Sequence, residues 1–160
     1  MTVLIANLID ALDYKPIRPT YAIRIRSGKT QDEYFPRLKD SPLYLAVKEY
    51  IFDDIDPWDE DKDGLLFNRD IAKNIIEDFL KYRANTQDLL VHCLHGANRS
   101  PAIAFGMNDL FNLGADSRAI VKKYNFGTWW MAKLLINTGV ELGLRSANTI
   151  PLLNPWDDSE

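Results

Sequence analysis

The sequence predicts one α/β domain with a central, mostly parallel sheet flanked by helices. Three observations carry this reading. Strand-like and helix-like segments alternate along the chain, Asp88–His92 is a short apolar strand of the kind buried on both faces of a parallel sheet, and no repeat or low-complexity linker divides the 160 residues. The domain is expected over residues 1–145, with an acidic, loosely held tail over residues 146–160 that carries two prolines. With 46% apolar residues, a chain of this size buries roughly two-thirds of its unfolded surface.

Each element follows from its pattern. Between Thr20 and Ser27, Tyr21, Ile23 and Ile25 alternate with Ala22, Arg24 and Arg26, which predicts a strand with one buried face. A second strand is expected over about Val47–Phe52. The twelve residues Asp53–Gly64 hold seven carboxylates with one proline and one glycine, so they predict a surface loop. Asn68 is placed to cap a helix whose buried stripe is Ile71, Ile75, Ile76, Phe79 and Leu80, ending near Arg83. After the Asp88–His92 strand come helices over about Ser100–Leu113, stopped by Gly114, then Asp116–Tyr124 and Gly127–Leu142.

Composition excludes several functions. Nineteen Lys and Arg against 23 Asp and Glu leave a net charge of -4, so no nucleic-acid partner is expected. No apolar run approaches the roughly 18 residues of a membrane span, and MTVLIANLIDALDY lacks the basic start and cleavage site of a secretory signal, so a cytoplasmic protein is expected. Cys93 is the one cysteine, which forbids an internal disulfide.

Ligands bind at the carboxyl ends of parallel strands, and Cys93 lies at such an end. The segment reads His92-Cys93-Leu94-His95-Gly96-Ala97-Asn98-Arg99-Ser100-Pro101. A loop curling from a strand into a helix N-terminus turns backbone N–H groups inward, forming an anion cradle that the helix dipole reinforces. The same field favours the ionised, nucleophilic form of a thiol. Arg99 offers a planar fork of donors to two phosphoryl oxygens, Gly96 permits the tight turn, and Pro101 sits where a missing N–H costs nothing. Chance placement of His, Gly, Arg and Ser around one Cys at these spacings is on the order of 10⁻⁵. Structural zinc fails on inventory, since it takes four ligands at characteristic spacings and the chain has one Cys and two His.

HCLHGANRSPAIA resembles the signature loop of the cysteine-dependent protein tyrosine phosphatases, in particular the dual-specificity branch. YNFGTWWMAKLL, Tyr124 to Leu135, is similar to the asparagine-centred stretch those enzymes carry downstream, and YIFDDID followed by a helix and LLVHC is similar to their acid loop, helix and strand. The resemblance covers about Lys48 to Leu142, while the first forty residues match no segment of the family. It implies a dual-specificity phosphatase-like fold and a phosphate loop of Leu94, His95, Gly96, Ala97, Asn98 and Arg99. Cys93 would attack phosphorus to form a cysteinyl-phosphate, Arg99 would grip the oxygens and Ser100 would help the sulfur leave. His92 and Asn125 would support the loop. No cofactor and no metal is implied, because the loop itself supplies the positive field.

A leaving alkoxide or phenoxide needs a proton, and the acidic loop supplies carboxyls. The family's pattern of an apolar residue, an acid and Asp directly after the strand places Asp54 first and Asp56 second. Asp54 lies 39 residues before Cys93, longer than the family's usual spacing, which marks an insertion. Within it, Asp59–Asp70 has acids at positions 1, 3 and 5, glycine at 6 and an acid at 12, like an EF-hand calcium loop. It departs from that pattern in having Asp rather than Glu at position 12, no preceding amphipathic helix and no partner loop.

The expected substrate is a phosphorylated protein or peptide. The chain is short for the deep-pocketed tyrosine-specific enzymes, so phosphoserine and phosphothreonine join phosphotyrosine. The absence of lysine inside the loop disfavours inositol polyphosphates. Two rivals are an RNA 5′-phosphatase or triphosphatase using the same loop, and a phosphate-recognition module without turnover.

Overall fold

The computed structural model describes residues 1–59 and 63–145. It is a single α/β domain whose four-stranded, all-parallel sheet runs β1-β4-β2-β3. In chain order the elements are β1 (Thr2–Ala6), α1 (Leu8–Asp13), β2 (Thr20–Arg26), β3 (Tyr44–Ile51), α2 (Arg69–Leu80), β4 (Asp88–His92), α3 (Arg99–Phe111), α4 (Ser117–Tyr124) and α5 (Trp129–Glu141). The acidic tail predicted for residues 146–160 lies outside the described residues.

The main core fills one face of the sheet. Tyr21, Ile23 and Ile25 of β2 and Leu89 and Val91 of β4 meet Ile75, Ile76 and Phe79 of α2, Ile103 and Met107 of α3, and Leu135 of α5. Asn68 caps α2 as expected, its Oδ1 accepting from the Ile71 N–H at 2.9 Å. Helix α3 is buried almost all round because it lies between the sheet and α5. Its contact with α5 is close: a Cβ on Gly139 would stand 2.4 Å from the Leu110 side chain.

The other face corrects the reading of β2 as a one-sided strand. Ala22 and Arg24 are nearly as buried as their alternating neighbours, because Ala11 of α1 and Leu38 pack with Ala22 and Leu90, and the Phe35 ring lies 4.4 Å from the Arg24 guanidinium. A strand interior to the sheet, with cover on both sides, has no solvent face to reveal by period. Two boundaries also move. Strand β3 starts at Tyr44, and α3 ends at Phe111 because Asn112, rather than Gly114, takes the left-handed C-cap with φ 51°.

Strand β1 and helix α1 have no sequence assignment, yet they position the site. Ala6, His92 and Arg24 lie side by side in register at the carboxyl ends of β1, β4 and β2. Asn7 then turns the chain and caps α1 through the Asp10 N–H at 2.7 Å.

Candidate active site

Strand β4 delivers Cys93 to the foot of α3, where the thiol is 2% exposed. The Gly96 N–H donates to Sγ at 3.2 Å, and the Ser100 hydroxyl lies 3.2 Å away in the first turn of the helix. Gly96 makes the turn possible with φ +67°, and a Cβ there would stand 2.8 Å from the Asn7 nitrogen and 2.9 Å from the Ala6 carbonyl carbon. The loop is therefore pressed against the β1–α1 junction, and the Leu8 N–H donates to the Leu94 carbonyl at 3.1 Å. Leu94, His95 and Ala97 carry exposed side chains around that buried turn.

Arg99 is 5% exposed and fixed from behind. Its Nη1 donates to Ser27 Oγ at 2.8 Å and to the Phe52 carbonyl at 2.9 Å. Nε and Nη2 make no hydrogen bond among the described residues, so one edge of the guanidinium is free to donate to an oxyanion. Sequence reasoning missed Ser27 and the Phe52 carbonyl. Both come from strand ends brought beside Arg99 by tertiary folding, and no local pattern announces them.

His92 lies behind the cysteine, fully buried and stacked on Phe35 with ring centroids 5.5 Å apart. Arg24, itself 4% exposed, donates through Nε to His92 Nε2 at 2.8 Å and through Nη2 to the Pro36 carbonyl. An arginine can only donate, so Nε2 must be the bare nitrogen and the proton must sit on Nδ1, 3.4 Å from the Cys93 carbonyl. This is the loop-backbone contact expected of His92, with Arg24 as its unanticipated partner. Burial, then the neighbouring Arg24 charge, push the imidazole down to about 4.

That shift predicts an acid sensitivity. The unfolded chain takes up a proton below about pH 6.5 that the folded chain refuses, so stability is whole above that pH. It declines toward pH 4 by about 3 kcal/mol from this group. Urea unfolding of the wild type and His92→Gln at pH 7.5 and 4.5 should show the larger loss in the wild type. Equal losses would mean His92 does not carry the effect.

The acidic loop separates its carboxylates by position. Asp53 accepts from the Gly28 N–H at 3.1 Å and the Leu65 N–H at 2.6 Å, while its own N–H donates to the Leu65 carbonyl, so it staples the base of the acidic loop. Asp56 accepts from Trp130 Nε1 at 2.9 Å, anchoring the loop to α5. Asp54 is exposed and reaches the Cys93–Arg99 loop, where its Oδ2 accepts from Asn98 Nδ2 at 3.0 Å. Of the three, Asp54 alone is hydrogen-bonded to the Cys93–Arg99 loop. The calcium-like pattern Asp59–Asp70 includes residues 60–62, which lie outside the described residues, and Asp70 stands in the first turn of α2. Among the described residues no three His, Cys, Asp or Glu side chains group as metal ligands.

Asn125 takes the left-handed C-cap of α4 with φ 43° and is exposed, its side chain making no hydrogen bond among the described residues. Support of the loop from this stretch runs through its neighbours instead. The Gly127 N–H donates to Asn98 Oδ1 at 3.2 Å, and the Thr128 hydroxyl donates to the Asn98 carbonyl at 3.0 Å. The segment was legible from its sequence, but the residues within it that touch the loop were not. Comparison with known proteins finds no matching family model, no matching curated protein and no matching solved structure.

Proposed function

We propose that this chain is a phosphomonoester hydrolase of the dual-specificity phosphatase type, acting on phosphorylated protein or peptide. The observation that carries the proposal is the convergence on one sulfur. Cys93 Sγ sits at a helix N-terminus with a backbone N–H and a serine hydroxyl 3.2 Å away, beside an arginine held from behind with one edge free. Such a constellation suits a nucleophile facing a tetrahedral oxyanion, because its donors are fixed before substrate arrives.

The reaction divides into two displacements. Sulfur forms a bond to phosphorus as the bond to the substrate oxygen breaks, and Asp54 gives that oxygen its proton. Water then attacks phosphorus and surrenders a proton to Asp54, the sulfur–phosphorus bond breaks, and the Ser100 hydroxyl donates to the departing sulfur. The products are the free hydroxyl compound and inorganic phosphate. Arg99 holds two equatorial oxygens through both steps.

Release of phosphate from aryl phosphates tests the proposal, and a wild-type protein without turnover would end it. Asp54→Ala should slow a substrate with a poor leaving group such as phenyl phosphate by roughly 10²-fold or more, and one with a good leaving group far less, because only the former needs the proton. Equal losses on both would move the proton donor elsewhere in the loop.

A further inference from the structure

We infer that Asn98 is a positioning residue for the proton-donating carboxyl: it ties one oxygen of Asp54 to the phosphate loop and leaves the other for the leaving group. The inference rests on the phosphatase reading above.

The first support is that Asn98 forgoes the duty its position offers. It is the N-cap of α3, where an asparagine side chain ordinarily accepts from the N–H groups of the first turn, yet it makes no such bond. Its amide points across the site instead. The second support fixes which way the amide faces. A backbone N–H can only donate, so the 3.2 Å contact with Gly127 requires Oδ1 there. The NH₂ group is thereby turned toward Asp54, whose Oδ2 it meets at 3.0 Å. The orientation of the acid is thus set from the α4–α5 junction, through one amide.

The backbone of Asn98 is held separately. Its carbonyl accepts from the Thr128 hydroxyl at 3.0 Å and from the Ala102 N–H at 3.1 Å. Main-chain position and side-chain direction therefore have different supports, and a substitution can alter the second while sparing the first. Asp54 is exposed, and a free carboxyl on an exposed loop would sample many directions. One donor on Oδ2 removes much of that freedom and leaves Oδ1 as the oxygen to carry the transferable proton. Misplacing a reacting group by about 1 Å can cost on the order of 10²-fold in rate.

Asn98→Asp separates this role from a structural one. The new side chain has the same size and keeps an oxygen for the Gly127 N–H, but it loses the donor and sets a carboxylate against Asp54. Asn98→Ala, which removes both contacts, serves as the second variant. Both should lose at least roughly 10-fold more on phenyl phosphate than on 2,4-dinitrophenyl phosphate, since any weaker grip of the altered loop on the phosphate group falls on both substrates alike. The double variant Asp54→Ala with Asn98→Asp should show no larger a difference between the two substrates than Asp54→Ala alone, since two residues serving one proton transfer do not add. In ¹⁵N-labelled protein, the Asn98 side-chain amide resonance should move in Asp54→Ala. Equal losses on both substrates, additive losses, or an unmoved amide resonance would each overturn the inference while leaving the phosphatase reading intact. Inactivity of the wild type on both substrates would overturn that reading, and the role of Asn98 with it.

Discussion

Replacing Cys93 with serine is expected to lower turnover of aryl phosphates by at least about 10⁴-fold, the scale on which removing a nucleophile outweighs every other single loss. The substitution exchanges one atom. A serine oxygen at the same place keeps its proton near neutral pH and is a far weaker attacking group. The supports around it survive, since Gly96 and Ser100 approach the sulfur from the backbone and from helix α3, and Arg99 is anchored independently by Ser27 and the Phe52 carbonyl. The variant should therefore unfold at nearly the wild-type temperature and still bind an oxyanion such as tungstate. Aryl-phosphate kinetics with a parallel tungstate titration check both halves. Activity above about a tenth of wild type would remove the sulfur from the mechanism.

Gly96→Ala is expected to have the largest effect on the fold of any single methyl group added near the site. Two costs combine. A left-handed backbone at φ +67° disfavours alanine by roughly 1–2 kcal/mol, and the added carbon meets main-chain atoms of Ala6 and Asn7 at 2.8 to 3.0 Å. Those atoms belong to the end of a paired strand and the cap of α1, so neither can swing aside as a side chain would. A total of about 3 kcal/mol or more is expected, with loss of the N–H donated to Cys93 Sγ. Urea unfolding and turnover measure the two consequences. A destabilisation below about 1 kcal/mol would show that the loop can lift away from the β1–α1 junction.

What the sequence made legible was local. The strand, turn and helix around Cys93 are written in about ten consecutive residues, because glycine, arginine and an N-terminal proline each answer a need of that one turn. The arrangement around them was not. Arg24 looks like the solvent side of an alternating strand, and it is the Phe35 ring, 4.4 Å from its guanidinium, and the Pro36 carbonyl that hold it as an interior residue able to reach His92. Strand β1 and α1 have no sequence assignment because VLIANLIDAL is apolar but for Asn7 and Asp10, with Asn7 serving at once as turn and cap. For a proton donor, the sequence ranks Asp54 first and Asp56 second among the seven carboxylates of the loop. What separates them, an amide on one and an indole on the other, comes from residues 44 and 74 positions away. Asn125 illustrates the remaining gap: the right stretch was found, but the contacts belong to Gly127 and Thr128, since which atoms of a short turn face a neighbour depends on how its helices pack.

The pairing of Asp53 with Leu65 and Gly28 makes the acidic loop a closed circuit. The loop leaves and rejoins the body of the domain at one point, so the backbone just after β3, whose Phe52 carbonyl anchors Arg99, is pinned by bonds one residue further on.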